Sequence, residues 1–185
     1  SIYGNREELV ELAEMLNPFD LVALEVNDSC PNTGYTMSQA DTIIGNTKAV
    51  AEVSRHPIIF KGSVDQDLLK IASGLAGIAE AISINSVPWK TAFTKGEKSP
   101  LSKLEKRVGG GGGGVSGCPA HKFTWAAAGA LTLQGLIPVI WPSHMEFEDV
   151  EKTEKLGAKA FSFGAIHLRT PWKPTTIVIR REYPI

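Results

Sequence analysis

The chain has little cysteine and no long apolar run, and each shortage excludes a class of protein. Its two cysteines, Cys30 and Cys118, stand far apart in 185 residues and match no metal-ligand spacing. That argues against a zinc ribbon or a secreted disulfide framework, predicts no metal site, and favours a reducing compartment. No apolar stretch approaches the roughly 20 residues of a membrane span. Ser1-Ile2-Tyr3-Gly4 lacks the basic start and apolar middle of a signal peptide. A cytoplasmic protein with no membrane partner is the expectation. Charge of one sign is also missing: 19 basic residues face 20 acidic ones, with no block able to track a phosphate backbone, so nucleic acid is not an expected partner. There is no internal repeat.

What remains is ordinary globular composition, with 43% hydrophobic and 21% charged residues in a length that suits one domain with a core of its own. Short β-rich apolar runs recur at Phe19–Val26, Pro57–Phe60, Ala81–Ile84, Leu136–Trp141 and Ala160–Phe163, with helical patterns between most of them. Asn5 with Glu8 forms a capping box before Leu9, Leu12, Ala13 and Leu16, which share one helix face. Ser38 with Asp41, Ser63 with Gln66, and Ser143 with Glu146 predict three further helix starts, and Phe123–Leu133 is an alanine-rich helix. Strands joined by such helices are parallel, and their near-continuous apolar character predicts burial on both faces. The fold class is α/β, either a (β/α) barrel or an open doubly wound sheet. The pattern breaks between Ser86 and Phe123 into proline, lysine and the six glycines Gly109–Gly114, a long glycine-rich loop whose ordering carries a large entropy cost.

In parallel α/β folds ligands meet the carboxyl ends of the strands, so the residues that follow each run carry the functional information. Here these are Asn27-Asp28-Ser29-Cys30-Pro31-Asn32, then Lys61-Gly62, Asn85-Ser86, and Gly164-Ala165. Amides, a thiol and an ammonium at one mouth suit a planar, amide-rich ligand with an anionic part. Taken singly each has a blander reading: Cys30 as a small buried hydrophobe, Lys61 as a snorkelling strand-end lysine, the asparagines as turn formers, the glycines as loop residues with positive φ.

The set Asn27-x-Ser-Cys-Pro-Asn32, a strand-terminal Lys61, Ile84-Asn85-Ser86 and Gly113-Gly114-Val115-Ser116-Gly117 resembles, in this order, the dihydroorotate dehydrogenases of the cysteine type. The likeness covers nearly the whole chain, with Ser1–Gly4 similar to the end of that family's third strand. It implies a (β/α)8 TIM barrel of which residues 1–185 supply about the last five βα units, as the C-terminal portion of one FMN-binding domain with a long loop over 86–122. It further implies oxidation of dihydroorotate to orotate in pyrimidine biosynthesis, with FMN as cofactor. The resemblance makes Cys30 the catalytic base, and assigns Lys61, Asn85, Ser116, Gly117, Gly164 and Ala165 to the cofactor. Asn27, Asn32, Asn85 and Ser86 fall to the substrate. A homodimer, or a partner chain that completes the barrel, is the implied assembly. The electron acceptor, fumarate or NAD through an iron–sulfur flavoprotein, stays open.

Two departures stand out. Where the family usually has a glycine pair at the FMN phosphate, this chain reads Trp141-Pro142-Ser143-His144; proline offers no N–H and tryptophan is bulky for an anion loop. His144 is either a cationic phosphate contact or idle. The length is also short of the roughly 250 residues of a closed barrel. Two alternatives follow: a dihydropyrimidine dehydrogenase-like flavoenzyme, and a degenerate barrel that serves as a binding or interaction module.

Overall fold

The computed structural model describes residues 1–27, 39–84, 87–104 and 112–183. Five strands form one parallel sheet: β1 (Leu24–Asn27), β2 (Ile58–Gly62), β3 (Ala81–Ile84), β6 (Val139–Trp141) and β7 (Ala160–Phe161), in the order β1-β2-β3-β6-β7. Beyond β1, Ile2 makes an isolated parallel bridge to Val26, its N–H donating to the Glu25 carbonyl at 2.8 Å and its carbonyl accepting from Asn27 at 2.9 Å.

The order in space follows the order in the chain without reversal. Crossovers of the usual right hand then put every connecting helix on one side of the sheet, and the packing agrees. Helices α1 (Arg6–Leu16), α2 (Ala40–Val53), α3 (Leu68–Leu75) and α5 (His121–Gln134) share one core with the strands. Into it go Leu9 and Ala13, Ile43 and Val50, Ile71 and Leu75, and Ala128 and Leu131, against Leu24, Val26, Ile58, Phe60, Ile82, Ile84, Val139 and Trp141. The switch in winding direction that defines a doubly wound sheet does not occur among the described strands.

Burial on both faces, expected from the apolar runs, is found in β3, where Ile82, Ser83 and Ile84 are all buried, but not in β1 and β2. β1 and β2 alternate between buried and half-buried positions. Leu24, Val26, Ile58 and Phe60 point into the helical layer, while Glu25, Asn27, Ile59 and Lys61 occupy a half-exposed face. One layer of helices can cover only one face of a pleated sheet. The runs also prove longer than their strands. Val22, within the first run, is 96% exposed, and strand pairing begins only at Leu24.

Helix starts differ in detail from the expected caps. The Asn5–Glu8 box is present, with bonds of 3.0 and 2.8 Å. Asp67, three residues before the Lys70 amide it accepts, caps α3 in place of Ser63, whose N–H instead donates to Gln66 Oε1 at 2.8 Å. Ser38 lies outside the described residues, and Gln39 precedes α2 without a side-chain cap. Ser143 caps nothing. Helix α6 (Phe147–Lys155) begins later, with Asp149 Oδ2 accepting from the amides of Met145 and Glu146 at 3.0 Å each.

The stretch read as one long loop carries structure of its own. A two-stranded antiparallel pair, β4 (Val87–Pro88) with β5 (Gly114–Val115), closes its base, and α4 (Trp89–Ala92) and a 3-10 turn at Ser102–Leu104 follow β4. A second 3-10 turn, Cys118–Ala120, leads directly into α5. After β7, α7 (Ile166–Arg169) and α8 (Lys173–Glu182) bury Ile166 and Ile177 with Met145 and Val150 in a smaller cluster. No helix among the described residues is long and apolar enough to cross a membrane.

Candidate functional site

At the carboxyl ends of β2, β3, β6 and β7 lies a cavity of about 190 Å³ lined by Lys61, Ile84, Ser116, Gly117, Pro142, Ser143, Ser162, Phe163, Gly164 and Ala165. Five of the residues singled out in the sequence for a cofactor, Lys61, Ser116, Gly117, Gly164 and Ala165, therefore share one wall system although more than 100 positions separate the first from the last. Strand geometry explains it: each residue sits at or just beyond the carboxyl end of a strand, or on the segment that returns from the β4–β5 pair to α5. The lining offers one ammonium, three serine hydroxyls and no carboxylate.

Lys61 is fixed by its neighbours. Its Nζ lies 3.0 Å from Glu25 Oε1, and Ser83 Oγ donates to Glu25 Oε2 at 3.3 Å. Register makes this trio possible: Lys61 pairs across with Asn27 on β1 and with Ser83 on β3, and Glu25, two residues before Asn27, shares their face. Asn27 is thus beside Lys61 on the half-exposed face, outside the cavity lining. Glu25 and Ser83 lie within β1 and β3 and not beyond the strand ends, where an α/β fold is expected to carry its chemistry. The period-2 alternation of β1 could have flagged Glu25, since a carboxylate two positions from Asn27 must share its face.

Gly117 has φ +77, in the left-handed region that a side chain disfavours. Ser143 has φ +70 and is the one non-glycine residue in that region among the described residues. The Trp141-Pro142-Ser143-His144 segment is therefore accommodated without obstructing the cavity. Trp141, the last residue of β6, points into the helical core, fully buried, with its Nε1–H donating to Thr132 Oγ1 at 3.1 Å. Pro142 and Ser143 present the cavity edge. His121 Nε2–H donates to the Ser143 carbonyl at 2.6 Å, and Trp125 Nε1–H to the Pro142 carbonyl at 3.0 Å.

His144 turns away from the cavity into the protein. It is fully buried, 2.8 Å from Thr153 Oγ1 through Nε2, and ringed by Trp125, Phe161 and Phe163. Burial lowers its pKa from 6.5 to about 4, against the opposing pull of Asp149 and of the Ser162 and Trp141 carbonyls, and His121 adds to the lowering. Near neutral pH it is uncharged, which removes it as a cationic phosphate contact.

Cys30, Asn32, Asn85 and Ser86 lie outside the described residues. Cys118, the other cysteine, is free and exposed. Among the described residues no group of histidine, cysteine or acidic side chains could hold a metal ion. No family model matches the chain, and a search of curated proteins returns no similar protein.

Proposed function

We propose that the chain forms the C-terminal part of a (β/α)8 barrel and belongs to an FMN-dependent oxidoreductase that converts dihydroorotate to orotate. One observation supports this above others: Lys61, Ser116, Gly117, Gly164 and Ala165, assigned to one cofactor by resemblance, line one cavity at the carboxyl ends of parallel strands. Progression of the strands without reversal, with helices on one face only, suits an arc of a barrel.

The cavity fits one end of the cofactor. At about 190 Å³ it is smaller than the roughly 300–1,000 Å³ of sites that enclose a whole ligand of that size. Its hydroxyls, its backbone of positive φ at Gly117 and Ser143, and its lack of carboxylates suit a phosphate with part of a polyol chain. FMN, when bound, supplies a ring that accepts hydride from the substrate. Lys61 holds a positive charge at the inner edge of the cavity, where Glu25 keeps it in place and moderates its field. Asn27, Asn32, Asn85 and Ser86 orient the planar substrate through paired donors and acceptors, and the Cys30 thiolate takes the proton from the substrate's C5. Removal of that proton and departure of the hydride leave the ring double bond of orotate.

The direct test is colour. Purified protein is expected to carry flavin absorbance that bleaches on anaerobic addition of dihydroorotate. Cys30→Ala is expected to keep the flavin and to slow bleaching by roughly 10²-fold or more, the contribution typical of a general base. A colourless protein that takes up no added FMN would favour the degenerate, non-catalytic barrel.

A further inference from the structure

We infer that His121 and Trp125 are positioning residues, holding the Pro142–Ser143 turn in the conformation that presents its edge to an anionic ligand; the ligand side of this inference rests on the flavin reading above. The two side chains are four apart on α5, so they project from one helix face. Their rings stack at 4.3 Å with an interplanar angle of 12°. Each spends its N–H on one of two successive carbonyls, Trp125 on Pro142 and His121 on Ser143. Because the acceptor is a carbonyl, His121 Nε2 must carry a proton.

Two consequences follow from peptide geometry. In a trans peptide unit the carbonyl and the next N–H point in opposite directions, so fixing the Pro142 and Ser143 carbonyls against α5 turns the amides of Ser143 and His144 away from it. Neither amide donates to a described residue. Ser143 lines the cavity, so its outward amide is the one available to an anion there, whereas His144 is fully buried and outside the lining. The second consequence concerns strain. Serine at φ +70 sits in a region that disfavours a side chain by roughly 1–2 kcal/mol, so the turn needs external bonds to stay there, and these two hydrogen bonds supply them. Glycine at this position would need them less.

The test is a double-mutant cycle on the full chain, with FMN and riboflavin as probes that differ only in the phosphate. His121→Ala, and Trp125→Phe as a variant that keeps the ring and loses the donor, are each expected to weaken FMN binding about tenfold, the equivalent of about 1.4 kcal/mol. Riboflavin binding is expected to change less than about threefold, and in a Ser143→Gly background the loss for FMN is expected to shrink to less than about threefold. Equal losses for both flavins, or the same loss in both backgrounds, would overturn the positioning role while leaving the flavin reading intact. A wild-type chain that binds neither flavin would overturn the flavin reading and the ligand role with it. Urea unfolding separates that case, because non-additive effects of His121→Ala and Ser143→Gly on stability support the clamp without any ligand, and additive effects overturn it.

Discussion

Glu25 and Lys61 neutralise each other on a half-exposed sheet face, at 3.0 Å and with side-chain exposures of 23% and 28%. The field that Lys61 exerts on a neighbouring ligand is therefore smaller than that of an isolated ammonium. With FMN bound as proposed, Glu25→Gln should unmask the charge and raise the reduction potential of the flavin, whereas Lys61→Met should lower it and leave a carboxylate without its counter-ion. The double variant should lie between them. Each shift is read by dye-coupled redox titration, where about 30 mV corresponds to about 1.4 kcal/mol for a two-electron couple; identical potentials in all four proteins would remove Lys61 from the flavin's surroundings. His144 sets a second residue-scale expectation. Its folded pKa of about 4 lies below the ordinary 6.5, so between those values the unfolded chain binds more protons than the folded one, and stability falls as pH falls through that window. From pH 7 to pH 5 the loss is about 2 kcal/mol on these values. Urea unfolding at the two pH values measures it, and His144→Phe should flatten the slope.

The elements that carry the site are short strands with irregular segments after them, and their conformations are specific. Gly117 is the sharpest case: at φ +77 a Cβ would meet Ala165 Cβ at 3.5 Å and Met145 Sδ at 3.6 Å, which is ordinary contact. Space is therefore not the obstacle, and the penalty of Gly117→Ala is conformational, about 1–3 kcal/mol at φ +77 and ψ −155. Thermal or urea unfolding should show that loss, and Gly117→Asn should lose as much, because with ψ −155 the residue lies outside the αL basin that asparagine tolerates and in a region kept for glycine. The helix faces were legible in the sequence: Leu9 and Ala13 in α1 and Leu68, Ile71, Ala72 and Leu75 in α3 are buried as their spacing requires. Their starts were less legible. Ser63 and Ser143 carry capping chemistry that many loops share, and the chain used Asp67 and the Glu146–Asp149 pair instead.

On the scale of the molecule, the dominant feature is a parallel sheet covered on one side. On the other side, where parallel sheets normally carry a second layer, Glu25, Asn27, Ile59, Lys61, Ala81 and Ile140 are half-buried, Ala160 is exposed and Ser83 alone among the described strand residues is buried. The Ile2 bridge and β7 leave strand edges at the two ends of the order, and such edges pair with other chains. Residues 1–185 are therefore expected to bind flavin as a self-associated species in which a second copy covers the open face, and not as a monomer. Sedimentation velocity with FMN titration decides it. A monodisperse monomer with one cooperative thermal transition and tight flavin binding would show that the open face needs no cover, and would count against the barrel.

The sequence by itself determined the helical character of α1, α2, α3, α5 and α6, the approximate places of the five parallel strands, the apolar side of α1 and α3, and that chemistry-bearing residues follow the strands. These follow from the 3.6-residue and 2-residue periods of the chain, which are local geometry. Tertiary structure alone decided that the strands progress without reversal, that one sheet face stays open, and that Lys61 is shared with Glu25 and Ser83. It also decided that Trp141 fills the core, that His144 is buried and neutral, and that His121 and Trp125 of α5 bond the carbonyls of a turn in which Ser143 has positive φ. Each of these depends on a partner far away in the chain, and the period of a segment carries no record of what packs against it.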